Sequence, residues 1–240
     1  MIVPDDIYET VFVQDLFDKM SKTYSGMNTI TSFGFSNRWR RQFLKEIDLS
    51  NAGVVVDLMC GMGECWKYIY KTAPHETKIV GLDFSEGMIR LAERNKKQFN
   101  EKNIRLLREN LFENSIPDNS ASHVISGFGL KTFSEKQLRD LASEVKRILK
   151  EEGEFSFIDV SVPRTRGLRF FYMVYLKRII PFIGKWLLNN SDEYKMLGVY
   201  TEKFGNAEQV LRIFKESGLE VEYVEYFFGC ASGIRGKKSG

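Results

Sequence analysis

The sequence offers little from which a covalent or metal scaffold is built. Its 240 residues include three cysteines, Cys60, Cys65 and Cys230, an odd number that cannot all pair, and none stands in a C-x-x-C. That speaks against a disulfide framework and a structural zinc site, and fits a reducing, cytoplasmic compartment. The two histidines, His75 and His123, lie far apart, so no metal site is expected. Charge of one sign is not in excess either. With 35 basic and 32 acidic residues the net charge is +3, too balanced for the surface as a whole to bind nucleic acid. Long apolar runs are missing: Phe170 to Leu176 falls far short of the ~20 residues that span a bilayer. The opening MIVPDDIYETVFVQD has acids where an export signal needs a basic stretch and an apolar run.

What is present is the material of a sizeable core. A composition 43% hydrophobic, 13% aromatic and 28% charged describes a globular chain, and the length suits one α/β domain with insertions. Residues 1–50 read as an amphipathic helical cap, with Phe12, Leu16 and Met20 at spacing four and Trp39, Phe43 and Ile47 repeating it. From Val54 onward β-branched runs alternate with charged helical segments: VVVDLMC, ECWKYIYKTA, KIVGLD, EGMIRLAERNKKQFN, IRLLREN and HVISGFGL. Such alternation predicts a doubly wound, mostly parallel α/β sheet over residues 51–160. In the helix EKQLRDLASEVKRILK, Leu138, Leu141, Val145, Ile148 and Leu149 form one stripe, and Glu152-Gly153 is expected to end it before the strand EFSFIDVS. Residues 161–195 break the rhythm as a helical insert, and 196–240 resume it with AEQVLRIFKESG and LEVEYVEYFFG. Cap and insert are expected to cover one end of the sheet in a single domain.

The run Asp57-Leu-Met-Cys-Gly61-Met-Gly63 follows an apolar strand and precedes a helix, where a doubly wound sheet binds its cofactor. A dinucleotide fingerprint needs a third glycine where Trp66 stands, which disfavours NAD. D-x-x-x-G-x-G suits S-adenosylmethionine instead. Asp57 can meet its ammonium group, directly or through water, while the loop amides face its carboxylate. Twenty residues beyond Gly63, Asp83 closes KIVGLD and can accept two ribose hydroxyls. Asn110 can read the adenine edge, with Phe84 or Leu111 sandwiching the ring. Each element also has a plainer reading, the glycines as a turn and Asp83 as a helix cap. Their order on successive strand ends favours a nucleoside site.

These residues, with others, resemble the UbiE-type ubiquinone and menaquinone biosynthesis C-methyltransferases, within the class I S-adenosylmethionine-dependent methyltransferases. The resemblance runs from about Phe17 to Lys238. FDKMSKTYSGMNTITSFGFSNRWRR is similar to the family's YD-x-MN-x-x-x-SFG-x-x-x-x-W block at Tyr24, Met27, Asn28, Ser32, Phe33, Gly34 and Trp39, and IPDNSAS, FGL, RILKEEG, FSFIDVS and GCASGIRGKK continue it. It implies a seven-stranded Rossmann-like sheet and methyl transfer that turns S-adenosylmethionine into S-adenosylhomocysteine. It also implies cofactor contacts at Met62, Asp83, Asn110, Leu111 and Gly127, with Tyr24 closing over the methionine end. Two departures stand out: the family's YD reads Tyr24-Ser25, and its arginine and asparagine after FGL read Lys131-Thr132.

Ring-carbon methylation of a hydroquinone requires loss of a phenolic proton. His75 and His123 fall at the sheet edge opposite the cofactor, which leaves Lys131 to stabilise a phenolate and Asp159 to orient a hydroxyl or accept a proton through water. Plainer readings make them a solvated loop lysine and a cap. Cys60 and Cys65 read as packing thiols. Between Val160 and Ser191 stand six cations, Arg164, Arg166, Arg169, Lys177, Arg178 and Lys185, and no acid, among many aromatic and aliphatic residues. Residues 164–188 have the composition of a segment lying on an anionic membrane surface, while burial on the sheet end and a homodimer contact stay open. The acceptor expected is a quinone-like or other lipophilic aromatic. N- or O-methylation of a phospholipid headgroup or natural product is the alternative, and a non-catalytic nucleoside-binding scaffold a third reading.

Overall fold

The computed structural model describes residues 6–21, 32, 34–99, 101–182 and 192–240. Helices α1 (Thr10–Ser21) and α2 (Phe35–Phe43) lead into β1 (Val54–Leu58), and α3 (Trp66–Ile69), β2 (Lys78–Leu82), α4 (Glu86–Lys96) and β3 (Ile104–Leu107) continue the alternation. After β4 (Ala121–Gly127), α5 (Glu135–Ile148) and β5 (Leu149–Val160) come α6 (Arg166–Val174), which runs on as a π turn over Tyr175–Ile179, then α7 (Asp192–Phe204), α8 (Glu208–Glu216), β6 (Glu220–Tyr226) and β7 (Ala231–Lys237). The seven strands form one sheet in the order β3-β2-β1-β4-β5-β7-β6. Strands β1 to β5 pair in parallel, with Val55 opposite Ile79 on one side and His123 on the other, while β7 runs antiparallel between β5 and β6. Among the described residues the insertion of β7 is the one departure from parallel pairing.

Each face of the sheet carries its own apolar layer. The stripe of α5 buries Leu138, Leu141, Val145 and Ile148 beside Val210 and Phe214 of α8, each side chain contributing about 1.5–3 kcal/mol by leaving water. On the other face Trp39 and Phe43 of α2, Trp66 and Ile69 of α3 and Ala92 of α4 pack on Val55, Ile79 and Ile125. A third cluster joins cap to insert: Val13, Leu16 and Met20 of α1 meet Met88, Leu176, Ile180, Met196 and Tyr200. The Tyr200 hydroxyl donates to the Ile7 carbonyl at 2.5 Å.

Three sequence expectations need correction. Helix α5 ends at Ile148, not at Glu152-Gly153: Leu149 is already extended and pairs with Ala121, so sheet pairing takes these residues into β5. Ile47 lies past α2 in extended backbone, although its side chain is buried. Of ECWKYIYKTA only Trp66–Ile69 is α-helical. No helix among the described residues is long and apolar enough to cross a membrane.

Candidate active site

Strands β1, β2 and β4 point their C-terminal ends at one edge, and the loops leaving them surround a cavity lined by Asp57, Gly61, Asp83, Asn110, Gly127 and Phe128. Asp57, on β1, is buried, and its Oδ2 accepts the Trp66 indole N–H at 3.0 Å. Trp66 stands in the place of a third glycine and lies wholly buried under the loop. Gly63 makes that possible. It has φ +79°, and a Cβ there would come within 2.4 Å of the Trp66 ring. Burial pushes the Asp57 carboxyl up to about 7, while the indole bond and the Arg40 charge pull in the other direction.

Asp83 follows β2 directly. Its Oδ2 accepts the Gly61 amide at 2.8 Å and its Oδ1 the Ser85 amide at 2.9 Å, and each oxygen keeps acceptor capacity for a further donor. Burial raises this carboxyl to about 6 in spite of those amides. Asn110 lies three residues past the end of β3; its Oδ1 accepts the Phe112 amide at 3.1 Å and so starts the short 3-10 turn Leu111–Glu113. Phe84 and Leu111 also line the cavity. Helix α1 covers it with Val13 and Phe17, and is fastened to the loop beyond Asp83. Gln14 Nε2 donates to the Phe84 carbonyl at 3.1 Å, and Asp18 Oδ1 accepts Ser85 Oγ at 2.6 Å and the Gly87 amide at 2.8 Å.

The fold thus brings together Asp57, Gly61, Asp83, Phe84, Asn110, Leu111 and Gly127. Two loop residues fall outside the lining. Gly63 serves the indole, and the Met62 carbonyl accepts Asn95 Nδ2 at 2.9 Å, tying the loop to α4. Tyr24, Ser25, Met27, Asn28 and Phe33 lie outside the described residues, as do Lys185 and its neighbours at 183–191.

Lys131 and Asp159 are together, but behind the cavity wall. Lys131 is 6% and Asp159 0% exposed, which rules out a solvated loop lysine. Lys131 Nζ donates to Asp159 Oδ1 at 2.7 Å and to the Phe128 carbonyl at 2.9 Å, and the Lys131 amide donates to Asp159 Oδ2 at 2.9 Å. The pair therefore grips Phe128, a residue in the left-handed region at φ +75°. The cation on the cavity wall, among the described residues, is Arg40 of α2, 3% exposed. Its guanidinium pairs with Glu64 at 2.5 Å and lies 4.8 Å from the centre of the Phe128 ring. Sequence reasoning missed Arg40 and Glu64. The only signals were an arginine directly after Trp39 on an amphipathic helix and an acid directly after Gly63.

Other titratable groups stand apart from this chemistry. His123 shares a hydrogen bond with the Asp48 carbonyl at 2.9 Å at the far edge of the sheet, and burial pushes its pKa down. Cys60 and Cys65 are buried with thiols pushed well up by desolvation, the state of packing rather than reactive thiols. Among the described residues no cluster of three His, Cys, Asp or Glu side chains is placed to hold a metal.

A profile of the ubiE/COQ5 methyltransferase family matches residues 5–238. The chain is 28% identical over 221 residues to a demethylmenaquinone methyltransferase of Listeria monocytogenes, covering 92% of each chain. To a demethylmenaquinone methyltransferase of Bacillus cereus it is 29% identical over 227 residues, covering 94% of this chain and 95% of that one. Solved structures share the fold. A SAM-dependent methyltransferase from Aquifex aeolicus superposes with TM-score 0.57 at 20% identity, over 82% of this chain and 88% of that one. One from Thermotoga maritima gives 0.61 at 18% identity, over 94% and 99%.

Proposed function

The chain belongs to the ubiE/COQ5 methyltransferase family, and from that premise we propose that it methylates a ring carbon of a reduced, quinone-like lipophilic aromatic. The observation that carries this reading is the convergence of Asp57, Asp83 and Asn110 from three successive strand ends on one cavity, in a chain matched to the family over nearly its whole length.

The residues fit S-adenosylmethionine. Asp83, with both oxygens already fixed by amides, would offer its remaining lone pairs to the ribose hydroxyls, and Asn110, with Phe84 and Leu111 on the same cavity wall, would hold the adenine. Asp57 and the Gly61 loop, which line the same cavity as the Arg40–Glu64 pair, would take the amino-acid end. When bound, the cofactor supplies a methyl group made electrophilic by its sulfonium. The protein's own work is to orient the acceptor, keep water out and stabilise charge. Apolar walls at Phe112, Phe128 and Phe133 exclude water, and Arg40, the cation on the cavity wall among the described residues, would stabilise the phenolate of a hydroquinone, whose formation makes the ortho carbon nucleophilic. Lys131 and Asp159 are positioning residues in this scheme: they hold Phe128 and, through it, the floor under Arg40.

A lipophilic acceptor resides in a bilayer, and we place the insert against an anionic one. Of its cations Arg164 is paired with Glu208 and Lys177 with Glu202, whereas Arg166, Arg169 and Arg178 make no ion pair among the described residues.

The test is incubation with methyl-labelled S-adenosylmethionine and a reduced 2-polyprenyl-1,4-naphthoquinol. Label on the ring carbon is expected; label on oxygen, or turnover only with amines, sinks the acceptor assignment. Asp83→Ala should weaken S-adenosylhomocysteine binding by about 1.5–3 kcal/mol in calorimetry, the worth of charge-assisted bonds.

A further inference from the structure

We propose that the β6–β7 turn, with Phe227 and Phe228 at its tip, is a wedge that inserts into an anionic bilayer at the edge of the sheet that holds the cavity. The inference rests on the reading of a membrane-borne acceptor, and concerns a turn outside the cationic insert but bonded to its helix α6.

Placement comes first. Ala231 pairs with Val160 on one side and Tyr226 on the other, so the turn stands at the edge where the parallel strands end, the edge that holds the cavity. The turn is also built against local preference. Phe227 and Phe228 have φ +46° and +56°, followed by Gly229 at +85°, while the Gly229 amide donates to the Tyr226 carbonyl at 3.2 Å and the Cys230 amide to that of Phe227 at 3.1 Å. Consecutive left-handed positions in a hairpin favour Asn and Gly, and a bulky aromatic there is strained. Nor does burial recover that strain at the tip, since Phe228 is 74% exposed and Phe227 45%. Two strained, exposed phenyl rings make sense where the ring meets something apolar outside the chain.

The surroundings point to a bilayer as that apolar phase. Tyr172 of α6 donates its hydroxyl to the Cys230 carbonyl at 3.2 Å, which fastens α6 beside the turn with Phe170 and Phe171 exposed on it. Arg166 and Arg169 lie on the same helix with no ion pair among the described residues, and Glu225 near the end of β6 faces Arg164 at 3.9 Å. Aromatic tips flanked by arginines match an interface whose acyl region takes rings and whose anionic headgroups take guanidinium. The turn is also coupled to the site. Ring centres step from Phe228 to Phe227 (5.5 Å), Phe35 (4.5 Å), Trp39 (5.4 Å) and Phe128 (6.5 Å), the last on the cavity wall.

Phe228→Gly separates this role from a structural one, because glycine suits the left-handed position and loses only the exposed ring. Its thermal midpoint should equal or exceed that of the parent. Its binding to vesicles of equal phosphatidylcholine and phosphatidylglycerol should weaken about tenfold or more, as expected for withdrawing one phenyl from an apolar phase. Turnover of a short-chain, water-soluble naphthoquinol should not change. In Phe228→Trp the added indole should be quenched by lipids brominated along the acyl chain. Unaltered vesicle binding by Phe228→Gly, a parent that binds no vesicles, or a dimer seen by light scattering that Phe228→Gly dissolves, would each overturn the wedge. If the parent binds vesicles through Phe228 yet never methylates a quinol, the acceptor reading fails and the wedge stands.

Discussion

A carboxyl held at about 7, as at Asp57, is half protonated at neutral pH in the free protein, and a ligand ammonium beside it favours the charged form. S-adenosylhomocysteine affinity should therefore rise with pH between 6 and 8, with protons released on binding. Calorimetry at pH 7 in two buffers of different ionisation enthalpy reads that release, and Asp57→Asn should abolish it. The Lys131–Asp159 pair makes a contrasting prediction, because both groups are buried and paired. Lys131→Met strands the Asp159 carboxylate and should cost about 3–5 kcal/mol in denaturant unfolding. Lys131→Arg keeps the charge and should stay folded, with kcat changed more than KM as Phe128 shifts under Arg40. If instead KM for the cofactor rises and kcat holds, the pair supports the nucleoside site and not the acceptor wall.

At the scale of elements, the roof of the site depends on a close fit between two helices. At Gly87, in the first turn of α4, a Cβ would come within 2.8 Å of the Ser21 Cβ and 2.1 Å of its Oγ, so α1 can approach only because that side chain is missing. Gly87→Ala should lift α1 from the Phe84–Gly87 segment, loosening the Asp18 contacts. The expected outcome is faster proteolysis within α1 and weaker cofactor binding, both restored by adding Ser21→Gly; no rescue by the double variant would mean that α1 is not the roof. Little of this contact was legible in the sequence. Periodicity gave α1 an apolar face through Leu16 and Met20, but the bond from Asp18 to Ser85, the N-cap of α4 67 residues away, is a tertiary relation with no local signature. The same holds for Lys131 and Asp159, whose strand-end positions were readable but whose mutual pairing was not. The convergence of Asp57, Gly61 and Asp83 on one cavity was legible because parallel strands of a doubly wound sheet deliver the residues at their C-terminal ends to one edge. The packing of Trp66 against Gly63 was not legible, because the ring lies beneath the glycine in space, a relation the spacing does not announce.

For the molecule as a whole, Asp57 has its proton held by burial at pH values where an unfolded carboxyl of 3.8 has lost it. Its contribution to stability is therefore greatest at low pH and declines as pH rises from about 4 through 7. Relative to Asp57→Asn, the cofactor-free parent should lose thermal midpoint between pH 5 and 8, and saturating S-adenosylhomocysteine should narrow the gap. A gap that widens toward acid pH would mean that folding lowers the Asp57 pKa instead of raising it. The sheet order has a consequence of another kind, for biosynthesis. Once Val160 has been made, the five parallel strands can assemble, yet β5 is then an open edge twelve residues long until Ala231–Lys237 slots in beside it. That edge includes Phe155, Phe157 and Ile158, a template for pairing with other nascent chains. Its exposure lasts through synthesis of the entire insert, so a chain stopped before Ala231 should be more prone to aggregate than one stopped before Val54.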